Sequence, residues 1–589
     1  MVYSKRDGHW RPLTWSQAGQ RVDAAAMGLC ALGLEKGQRV AIISANCVEW
    51  VIADLASISA GLVDVPIGED QPASTLVWML RDSGCQLAFV EDEAMVKILC
   101  AHRNELPDLK YIIYFHGPTP DQPPVEGIVL MGLLELEKMG RERALVDQLE
   151  QRRTNLGPAD LLTIIYTSGT TDQPKGVMLT HGNILANCEA CARAISVRAD
   201  DEVLSFLPLS HSFERMAAYY MAALFGGATL YHAEGFDALA QNLNEVKPTI
   251  MTAVPRLYEQ FHTAAMVGAQ RAGPLQKLVL QIGLSGRGGP EDAQPGWLTR
   301  PLVNLQKRLT QDHALKPFAE QFGGRIRFLI SGGGHLAPTI ARFYEAAGLT
   351  ILEGYGLTEA APVVAVNRLK NYRFGTVGRP LDNVRLRIDV DGEILVKGPN
   401  VMQGYWNREE ETRRVLDANG WLSTGDIGEI SRDGYLKLKD RISDQLTNAQ
   451  GQRISPQNAE ALLVSDPMVH QACVAGDGRP YCVALIVPSP AFMKEWAMDA
   501  SIPFHGSTDL IDHPQLDGYF RRLVSRCNEL LEKSESIGAY HLVEEPFARD
   551  RGLLTSTLKL RRLAIIDCYS AEIDSLYAVG SRRKDRVDG

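Results

Sequence analysis

The sequence lacks three features that would assign it to a specialised protein class. Cysteine is sparse, at 10 of 589 residues, and shows none of the dense spacing of a disulfide scaffold. The longest apolar stretch, residues 216–231, is interrupted by Gly226 and Gly227 and is shorter than the ~20 residues that span a membrane. Basic residues are not in excess, since 61 Lys and Arg against 71 Asp and Glu give a net charge of −10. The sequence therefore excludes a disulfide-rich domain and argues against a membrane span and broad nucleic-acid binding.

Two smaller absences narrow the interpretation further. Residues 1–15 are polar and charged and have no apolar core of a secretory signal, so we expect a cytoplasmic protein, with membrane contact at most peripheral. The CxxC pair Cys188 and Cys191 has no second pair and no histidine cluster nearby. We interpret these cysteines as core or helix-face thiols rather than as a zinc or redox site. Residues 216–231 predict a buried helix, a turn and a strand.

Short apolar runs alternate with amphipathic segments along the first two-thirds of the chain. The runs at residues 40–43, 87–90, 111–114, 161–166 and 326–330 have the length of buried strands. Strands separated by helical segments are typical of parallel sheets. We therefore predict an α/β fold in which parallel or mixed sheets are flanked by helices, in a chain long enough for three or more folding units.

The pattern changes near residues 434–441, where turns and a charged run precede a segment with strands and helices of its own. We predict a large N-terminal domain over residues 1–439 and a small, mobile α+β C-terminal domain over residues 440–580. Residues 268–301 are interpreted as a helix–loop–helix within the large domain. Residues 581–589 are charged and small, and are predicted to be a disordered tail.

The segment from Ile164 to Val177 is the most informative part of the sequence. An apolar strand leads into a loop with five small or hydroxyl residues and one lysine, namely Thr167, Ser168, Gly169, Thr170, Thr171 and Lys175. Backbone N–H groups, hydroxyls and a cation are the donors that bind a polyphosphate. The Gly-Lys-Ser/Thr of a P-loop NTPase is absent, which excludes that class. The alternative is a surface loop whose hydroxyls cap a helix.

The motif Tyr-Thr-Ser-Gly-Thr-Thr-x-x-Pro-Lys-Gly resembles the signature of the AMP-forming acyl-CoA synthetases, which are adenylate-forming ligases. Five further segments resemble motifs of that family in the same order, at residues 207–215, 331–334, 353–359, 423–426 and 554–562. The resemblance covers residues 15–562. Residues 207–215, the segment 268–301 and the ending Leu-Thr-x-Thr-x-Lys are most similar to the long-chain fatty acyl branch.

The resemblance implies a reaction in two steps. A fatty acid carboxylate attacks the α-phosphorus of ATP to give acyl-AMP and pyrophosphate, and the thiol of coenzyme A then displaces AMP. Mg²⁺ is the implied cofactor, with ATP and coenzyme A as co-substrates. Two alternatives stay open: a ligase that loads an acyl-carrier protein, and a non-catalytic acyl- or nucleotide-binding protein of the same fold. The resemblance is also compatible with a homodimer.

The resemblance carries the family's functional residues onto the motif positions of this chain. The predicted catalytic residues are Lys559, which would bridge the carboxylate and the α-phosphate, His211 beside the acyl pocket, and Glu359, which would bind Mg²⁺ together with Thr167. The predicted ATP- and AMP-binding residues are Thr167, Ser168, Gly169, Thr170, Thr171, Lys175, Gly332, Gly333, Gly334, Tyr355, Gly356, Thr358, Asp426 and Arg441.

Within this set the resemblance implies that Lys175 binds the β- and γ-phosphates, that Tyr355 stacks on the adenine, and that Thr358 contacts the α-phosphate. Asp426 and Arg441 are assigned to the ribose, where one carboxylate can accept from both hydroxyls. Plainer structural interpretations remain for four residues: a buried tyrosine at Tyr355, a solvated linker arginine at Arg441, a solvated basic patch including Lys559, and a structural histidine at His211.

The chain departs from the family pattern at the predicted hinge between the domains. Asp440 stands where a glycine is usual, Ser443 occupies the hinge position, and of the usual glycine pair only Gly451 is present, after Gln450. Small residues suit a hinge, so Ser443 is compatible with rotation. The departures at Asp440 and Gln450 nevertheless affect the hinge on which the thioester step depends, whereas the motifs of the adenylation step are present. Ser556 replaces the proline that often precedes the catalytic lysine.

Overall fold

The computed structural model describes residues 1–117, 126–167, 173–270, 315–504, 507–555 and 558–584. Most of the segment 268–301 and the last five residues of the predicted tail lie outside the described residues. The terminal helix Ser570–Lys584 shows that the predicted disorder is wrong for residues 581–584. Lysine and arginine are good helix formers and their charge is favourable at a helix C-terminus, so the helix continues into this segment.

Two large mixed sheets form the first two-thirds of the chain. The eight-stranded sheet runs in the spatial order Gly404–Tyr405, Lys175–Thr180, Leu161–Thr167, Val63–Ile67, Arg39–Ile43, Leu87–Val90, Tyr111–Tyr114 and Val129–Gly132. The nine-stranded sheet runs in the order Arg379–Pro380, Val363–Val366, Ile351–Gly356, Phe328–Ser331, Ile250–Ala253, Glu202–Ser205, Thr229–His232, Val2–Arg6 and His9–Leu13. Most neighbouring strands are parallel, and antiparallel pairs occur toward the edges. The predicted α/β class is confirmed.

Alternate residues of the strands face different hydrophobic cores, as the twofold period of a strand requires. Val40 and Ile42 belong to a central core shared by both sheets, whereas Ala41 and Ile43 belong to a core on the outer face of the eight-stranded sheet. Because both faces of these strands are covered, their sequences are continuous apolar runs. This burial explains why the runs at 40–43, 87–90, 111–114 and 161–166 were recognisable as strands.

Helices cover both sheets. In the first domain they are Trp15–Ala31, Val48–Ser59, Ala73–Ser83, Glu93–Ala101, Leu133–Arg143, Val146–Thr154, His181–Ala194, Ser212–Glu214, Arg215–Phe225 (a π-helix), Leu239–Val246, Pro255–Gln270, Lys316–Glu320 and Pro338–Ala346, with 3₁₀ turns at Arg103–Glu105 and Thr358–Ala360. The first helix begins at a capping box formed by Thr14 and Gln17. Its close approach to Leu133–Arg143 depends on Gly140, where a Cβ atom would lie 1.9 Å from the carbonyl oxygen of Ala24.

Residues 216–231 fold as predicted. The helix Arg215–Phe225 is followed by a turn at Gly226 and Gly227 and by the strand Thr229–His232. Among the described helices, none combines the length and the apolar composition needed to cross a membrane. Cys188 and Cys191 are buried free thiols, as predicted.

A four-stranded antiparallel sheet leads from the large domain to the C-terminal part of the chain. Its strands are Arg385–Ile388, Glu393–Lys397, Leu422–Ile430 and Leu436–Arg441, and the helix Glu409–Val415 lies within the same stretch of sequence. A 3₁₀ turn, Ile442–Asp444, then begins the connection. The predicted boundary at residues 439 and 440 falls in the last of these strands, just before this turn.

The C-terminal part has hydrophobic cores of its own. It contains the hairpin Leu446–Thr447 and Arg453–Ile454, a three-stranded sheet of Val469–Ala475, Cys482–Pro488 and Ile537–Leu542, and the helices Pro456–Val464, Pro490–Asp499, Ser507–Ile511, Pro514–Asn528, Arg562–Cys568 and Ser570–Lys584. Helices pack on both faces of the small sheet. This arrangement is the α+β domain that the sequence predicts.

A buried ionic cluster connects the helix Arg215–Phe225 to the eight-stranded sheet. The Arg215 side chain is 2% exposed, is ion-paired with Asp54, and donates hydrogen bonds to Asp64 (2.8 Å) and Thr163 (3.0 Å). Burial raises the pKa of Asp54, and the Arg215 charge opposes that rise. Arg215 pairs with both carboxylates, and the Tyr219 phenol donates a further hydrogen bond to Asp54 (2.9 Å), so these buried acids have partners.

We expect Arg215→Met to destabilise the large domain by about 3–5 kcal/mol, because it leaves two buried carboxylates without their cation. The matched control is Arg413→Met, which removes an arginine that is 73% exposed and should change the free energy of unfolding by less than about 0.5 kcal/mol. Denaturant unfolding measures both. A loss below about 1 kcal/mol for Arg215→Met would contradict the role assigned to the cluster.

Candidate active site

The predicted motifs converge where the central strands end. Thr167 is the last residue of Leu161–Thr167, the glycines Gly332–Gly334 follow Phe328–Ser331, and Tyr355 lies near the end of Ile351–Gly356. Phe328–Ser331 and Ile351–Gly356 are parallel neighbours in the nine-stranded sheet, so their carboxyl ends lie at one edge, whereas Leu161–Thr167 belongs to the eight-stranded sheet. Ser168, Gly169, Thr170 and Thr171 lie outside the described residues.

Asp426 is hydrogen-bonded on both carboxylate oxygens. The Tyr355 phenol donates to Oδ2 (2.7 Å), and Nε of Arg441 donates to Oδ1 (2.8 Å). Asp426 and Arg441 face each other on neighbouring antiparallel strands, which fixes their distance. The Asp426 charge raises the pKa of Arg441, and burial raises that of Tyr355, so both donors keep their protons. A carboxylate has about four acceptor sites, so Asp426 can still accept from ligand hydroxyls.

The glycine turn after Phe328–Ser331 is closely packed. A Cβ atom at Gly332 would lie 2.9 Å from the ring of Phe213, so only glycine fits beside that ring. Gly333 has a φ of +79° and lies beside Lys559, since a Cβ atom here would be 3.9 Å from Cε of Lys559. At Gly356 a Cβ atom would lie 2.2 Å from the carbonyl oxygen of Pro362. The packing and backbone conformation at these positions therefore require glycine whether or not a ligand binds.

Lys559 reaches the glycine turn from the C-terminal domain. Two hydrogen bonds connect it to Thr555: the Thr555 N–H donates to the Lys559 carbonyl (2.9 Å), and the Lys559 N–H donates to Oγ1 of Thr555 (3.0 Å). Leu558 has a φ of +61°, a left-handed conformation that marks strain at a tightly determined position. Ser556 lies outside the described residues. Arg562 anchors the end of the loop by donating to Glu460 (2.9 Å) and to the Val474 carbonyl (2.7 Å).

The surroundings of Lys559 favour its neutral form more than water does. Part of the residue is exposed to solvent, but the protein atoms that surround its side chain displace water, and this desolvation lowers its pKa to about 8. The Arg441 charge adds to this lowering, whereas Asp426 and Asp444 oppose it. Because Arg562 is ion-paired and mostly buried, it does not belong to a solvated basic patch with Lys559.

His211 lies close enough to Lys559 for the lysine charge to act on it. It caps the short helix Ser212–Glu214, where the N–H of Phe213 donates to Nδ1 of His211 (3.3 Å). Burial, and then the Lys559 charge, lower the pKa of His211 to about 4, so the ring is neutral at pH 7. The adjacent Ser212 shares a hydrogen bond with Thr358 (3.0 Å). The histidine therefore has a structural role and also lies beside the predicted catalytic lysine.

Lys175 and Glu359 have partners that the sequence analysis did not identify. Nζ of Lys175 is 2.6 Å from Oε2 of Glu411, and it lies 5.5 Å from the ring centre of Tyr405. The Tyr405 phenol donates to Oε1 of Glu359 (2.9 Å). Tyr405 and Glu411 come from a segment in which the sequence analysis recognised no motif. Their role depends on strand pairing that brings distant segments together.

The predicted metal ligands can be judged by their donor chemistry. Thr167 and Glu359 offer only oxygen atoms, which Mg²⁺ prefers. Glu359 lies against the strand Lys175–Thr180, since the 3₁₀ turn Thr358–Ala360 packs on that strand. Thr167 is the direct cross-strand partner of Lys175. The residues fit a magnesium ion that also binds a polyphosphate.

The predicted hinge residues lie in the connection between the domains. Ser443 is exposed and lies in the turn Ile442–Asp444, where it donates to Asp444 (3.1 Å). Asp440 is buried, which raises its pKa to about 6. Gly451 has a φ of +78° in the turn of the hairpin that follows, a conformation that favours glycine.

Comparison with known proteins identifies the family. Residues 1–406 match the family described as AMP-binding enzyme, and residues 443–581 match the AMP-binding enzyme C-terminal domain. The chain belongs to the AMP-binding enzyme family.

Its relatives include the long-chain-fatty-acid–CoA ligase FadD15 of Mycobacterium tuberculosis, which is 32% identical over 97% of this chain and 93% of the relative. The peroxisomal long chain acyl-CoA synthetase 7 of Arabidopsis thaliana is 28% identical over 97% of this chain and 82% of that protein. The resemblance to acyl-CoA synthetases is thereby confirmed.

Solved structures share the fold. The adenylation domain of the carboxylate reductase GR01_22995 from Mycobacterium chelonae has a TM-score of 0.71 at 23% identity, covering 97% of this chain and 85% of that one. The anthranilate CoA ligase AuaEII in complex with anthranoyl-AMP has a TM-score of 0.70 at 19% identity, covering 96% and 93%.

The lowered pKa of Lys559 can be measured directly. We expect acylation of Lys559 by an amine-reactive reagent to reach half its maximal rate near pH 8, whereas an ordinary lysine does so near about pH 10.4. Arg441→Gln should move the midpoint upward, because it removes a cation that lowers the Lys559 pKa and frees the Asp426 charge. Mass spectrometry resolves the site, with exposed Lys494 as internal reference for the reagent. A midpoint near pH 10 would contradict this description of the cleft.

Proposed function

We propose that this protein activates a long-chain fatty acid with ATP to form acyl-AMP, and then transfers the acyl group to coenzyme A, releasing pyrophosphate and AMP. The position of Lys559 is the observation that carries the proposal. Its side chain lies beside the Gly333 turn, and its charge interacts with His211 and with the Asp426–Arg441 pair. The long-chain ligase names of the relatives support the choice of substrate.

The nucleotide would bind between the two sheets of the large domain. Asp426 and Arg441 take the ribose, Tyr355 the adenine side, and Lys175 the β- and γ-phosphates. Thr167 and Glu359 would hold Mg²⁺, which supplies positive charge to the polyphosphate when bound. We further propose that Ser168, Gly169, Thr170, Thr171, Thr358, Gly332, Gly334 and Gly356 line the same nucleotide site.

The first step joins two anions, so charge neutralisation dominates its catalysis. The Lys559 ammonium would lie between the attacking carboxylate and the α-phosphate, and this contact is stronger in the transition state than with the separated reactants. His211 stays neutral and can orient the carboxylate by a hydrogen bond. Phe213, which packs on Gly332, gives the acyl side of the cleft an apolar surface.

The second step requires Lys559 to make way for the thiol. We propose that the domain at residues 440–580 rotates relative to residues 1–439 about Ser443, with Gly451 in the adjoining hairpin turn. The proposed acceptor is free coenzyme A, and an acyl-carrier protein is the alternative. Dependence of product formation on free coenzyme A distinguishes them. We also propose that the enzyme is cytoplasmic and has at most peripheral membrane contact. We propose a homodimer as its oligomeric state, which light scattering would measure.

Lys559→Ala tests the proposal most sharply. Wild-type protein should catalyse Mg²⁺-dependent ATP–pyrophosphate exchange stimulated by a long-chain fatty acid. The variant should lose about 10²–10³-fold in acyl-AMP formation, as for other preorganised donors. It should convert supplied acyl-AMP and coenzyme A to the thioester at close to the wild-type rate, because the lysine has moved away in that step.

Two results would count against this account. If the wild-type protein shows no ATP–pyrophosphate exchange with any fatty acid from medium to very long chain, the proposed activity is wrong. Equal loss of both half-reactions in Lys559→Ala would mean that the lysine is structural or that the domain does not rotate. Lys494→Ala, which changes an exposed lysine of the same domain, is the matched control and should leave both rates unchanged.

Ser443→Pro tests the rotation. Proline fixes φ near −65°, so it restricts the backbone where rotation needs freedom. We expect thioester formation to fall at least about fivefold more than adenylation, as measured by the two separate half-reaction assays. Ser443→Ala, which keeps backbone freedom, should retain both rates. Equal effects of proline on both steps would place the hinge elsewhere.

A further inference from the structure

The segment Gly404–Glu411 is built onto the phosphate-loop hairpin. Gly404 and Tyr405 pair with Met178 and Val177 of the strand Lys175–Thr180. The Trp406 N–H then donates to the Gly176 carbonyl (2.7 Å). The helix Glu409–Val415 follows directly, so its first turn is held at a fixed distance from Lys175.

This anchoring gives Lys175 an internal counter-ion. Nζ of Lys175 is 2.6 Å from Oε2 of Glu411, and the two side chains are 22% and 28% exposed. The other carboxylate oxygen of Glu411 lies 3.8 Å from Nε of Arg408. Arg408 is in turn 3.3 Å from Asp82. Glu411 therefore lies between two cations, and either of them can neutralise it.

Glu411 and a bound phosphate would compete for Lys175. A phosphate oxygen on the same ammonium would lie roughly 4.4 Å from the Glu411 carboxylate at ordinary charge-assisted distances. Two like charges at that separation repel each other appreciably in a partly buried site. The Lys175 ammonium is thus neutralised either by Glu411 or by a polyphosphate. When a polyphosphate replaces Glu411 at Lys175, Glu411 remains paired with Arg408.

We propose that Glu411 is an exchangeable counter-ion of the polyphosphate site: it pairs with Lys175 until the β- and γ-phosphates of ATP replace it, and it pairs with Lys175 again as pyrophosphate leaves. This inference rests on the proposed function, because it takes the Lys175 ligand to be a polyphosphate. Glu411 is a positioning residue, since it acts through Lys175. The pairing of Glu411 with Lys175 weakens the binding of ATP, and it speeds the release of pyrophosphate.

Glu411→Gln tests the exchange, because it removes the charge and keeps the shape. Calorimetric titration of the full-length protein with pyrophosphate, ATP and AMP is the measurement. We expect pyrophosphate and ATP to bind about fivefold more tightly, the size typical of one partly exposed ion pair. AMP, which lacks the β- and γ-phosphates, should bind within about 1.5-fold of wild type. Steady-state assays should show stronger inhibition by pyrophosphate.

Glu410→Gln is the matched control, since Glu410 is an exposed neighbour on the same helix; it should leave all three affinities unchanged. In a Lys175→Ala background, the effect of Glu411→Gln should shrink to less than about twofold. Glu411→Ala should give the same direction of change as Glu411→Gln and serves if the glutamine variant does not fold.

The outcomes separate this inference from the proposed function. Wild-type protein that binds neither ATP nor pyrophosphate would overturn both. Wild-type binding with unchanged or weaker pyrophosphate affinity in Glu411→Gln would overturn the exchange alone. An equal gain for AMP and ATP would also overturn it, because the effect would then be a general change of charge rather than one acting through Lys175.

Discussion

The carboxylate of Asp426 joins three parts of the molecule that are distant in sequence. It accepts from Tyr355 at the end of a central strand, it pairs with Arg441 in the last strand before the C-terminal domain, and its charge opposes the lowering of the Lys559 pKa. Asp426 therefore connects the end of a central strand, the start of the connection between the domains and the predicted catalytic lysine.

Cations in the cleft are balanced by acids within the protein. Arg441 has Asp426, Lys175 has Glu411, and Arg215 has Asp54 and Asp64 beneath the site. The ion pairs differ in how deeply they are buried, and this difference determines whether a pair is permanent or exchangeable. The Arg215 cluster is fully buried, so its ions stay paired and hold the helix Arg215–Phe225 on the eight-stranded sheet. The Lys175 pair is partly exposed, so an incoming anion can replace one partner at modest cost.

Sequence reasoning succeeded where the physics is local. Buried parallel strands are continuous apolar runs, so the strands near residues 40–43 and 87–90 were predictable, and the six motifs located the loops at the strand ends. Tyr405 and Glu411 were missed because they reach Lys175 and Glu359 through pairing with a strand more than 200 residues away in sequence. The assignment of residues 581–584 to a disordered tail failed because composition does not show where an established helix stops.

One helix of the large domain contacts both the glycine turn and the C-terminal domain. The helix Pro255–Gln270 begins against the glycine turn, since a Cβ atom at Gly334 would lie 3.4 Å from Pro255. Further along, its Met266 packs on the core of the C-terminal domain. Because Lys559 belongs to that domain, this helix forms a continuous physical connection between the glycine turn and the domain that carries the lysine.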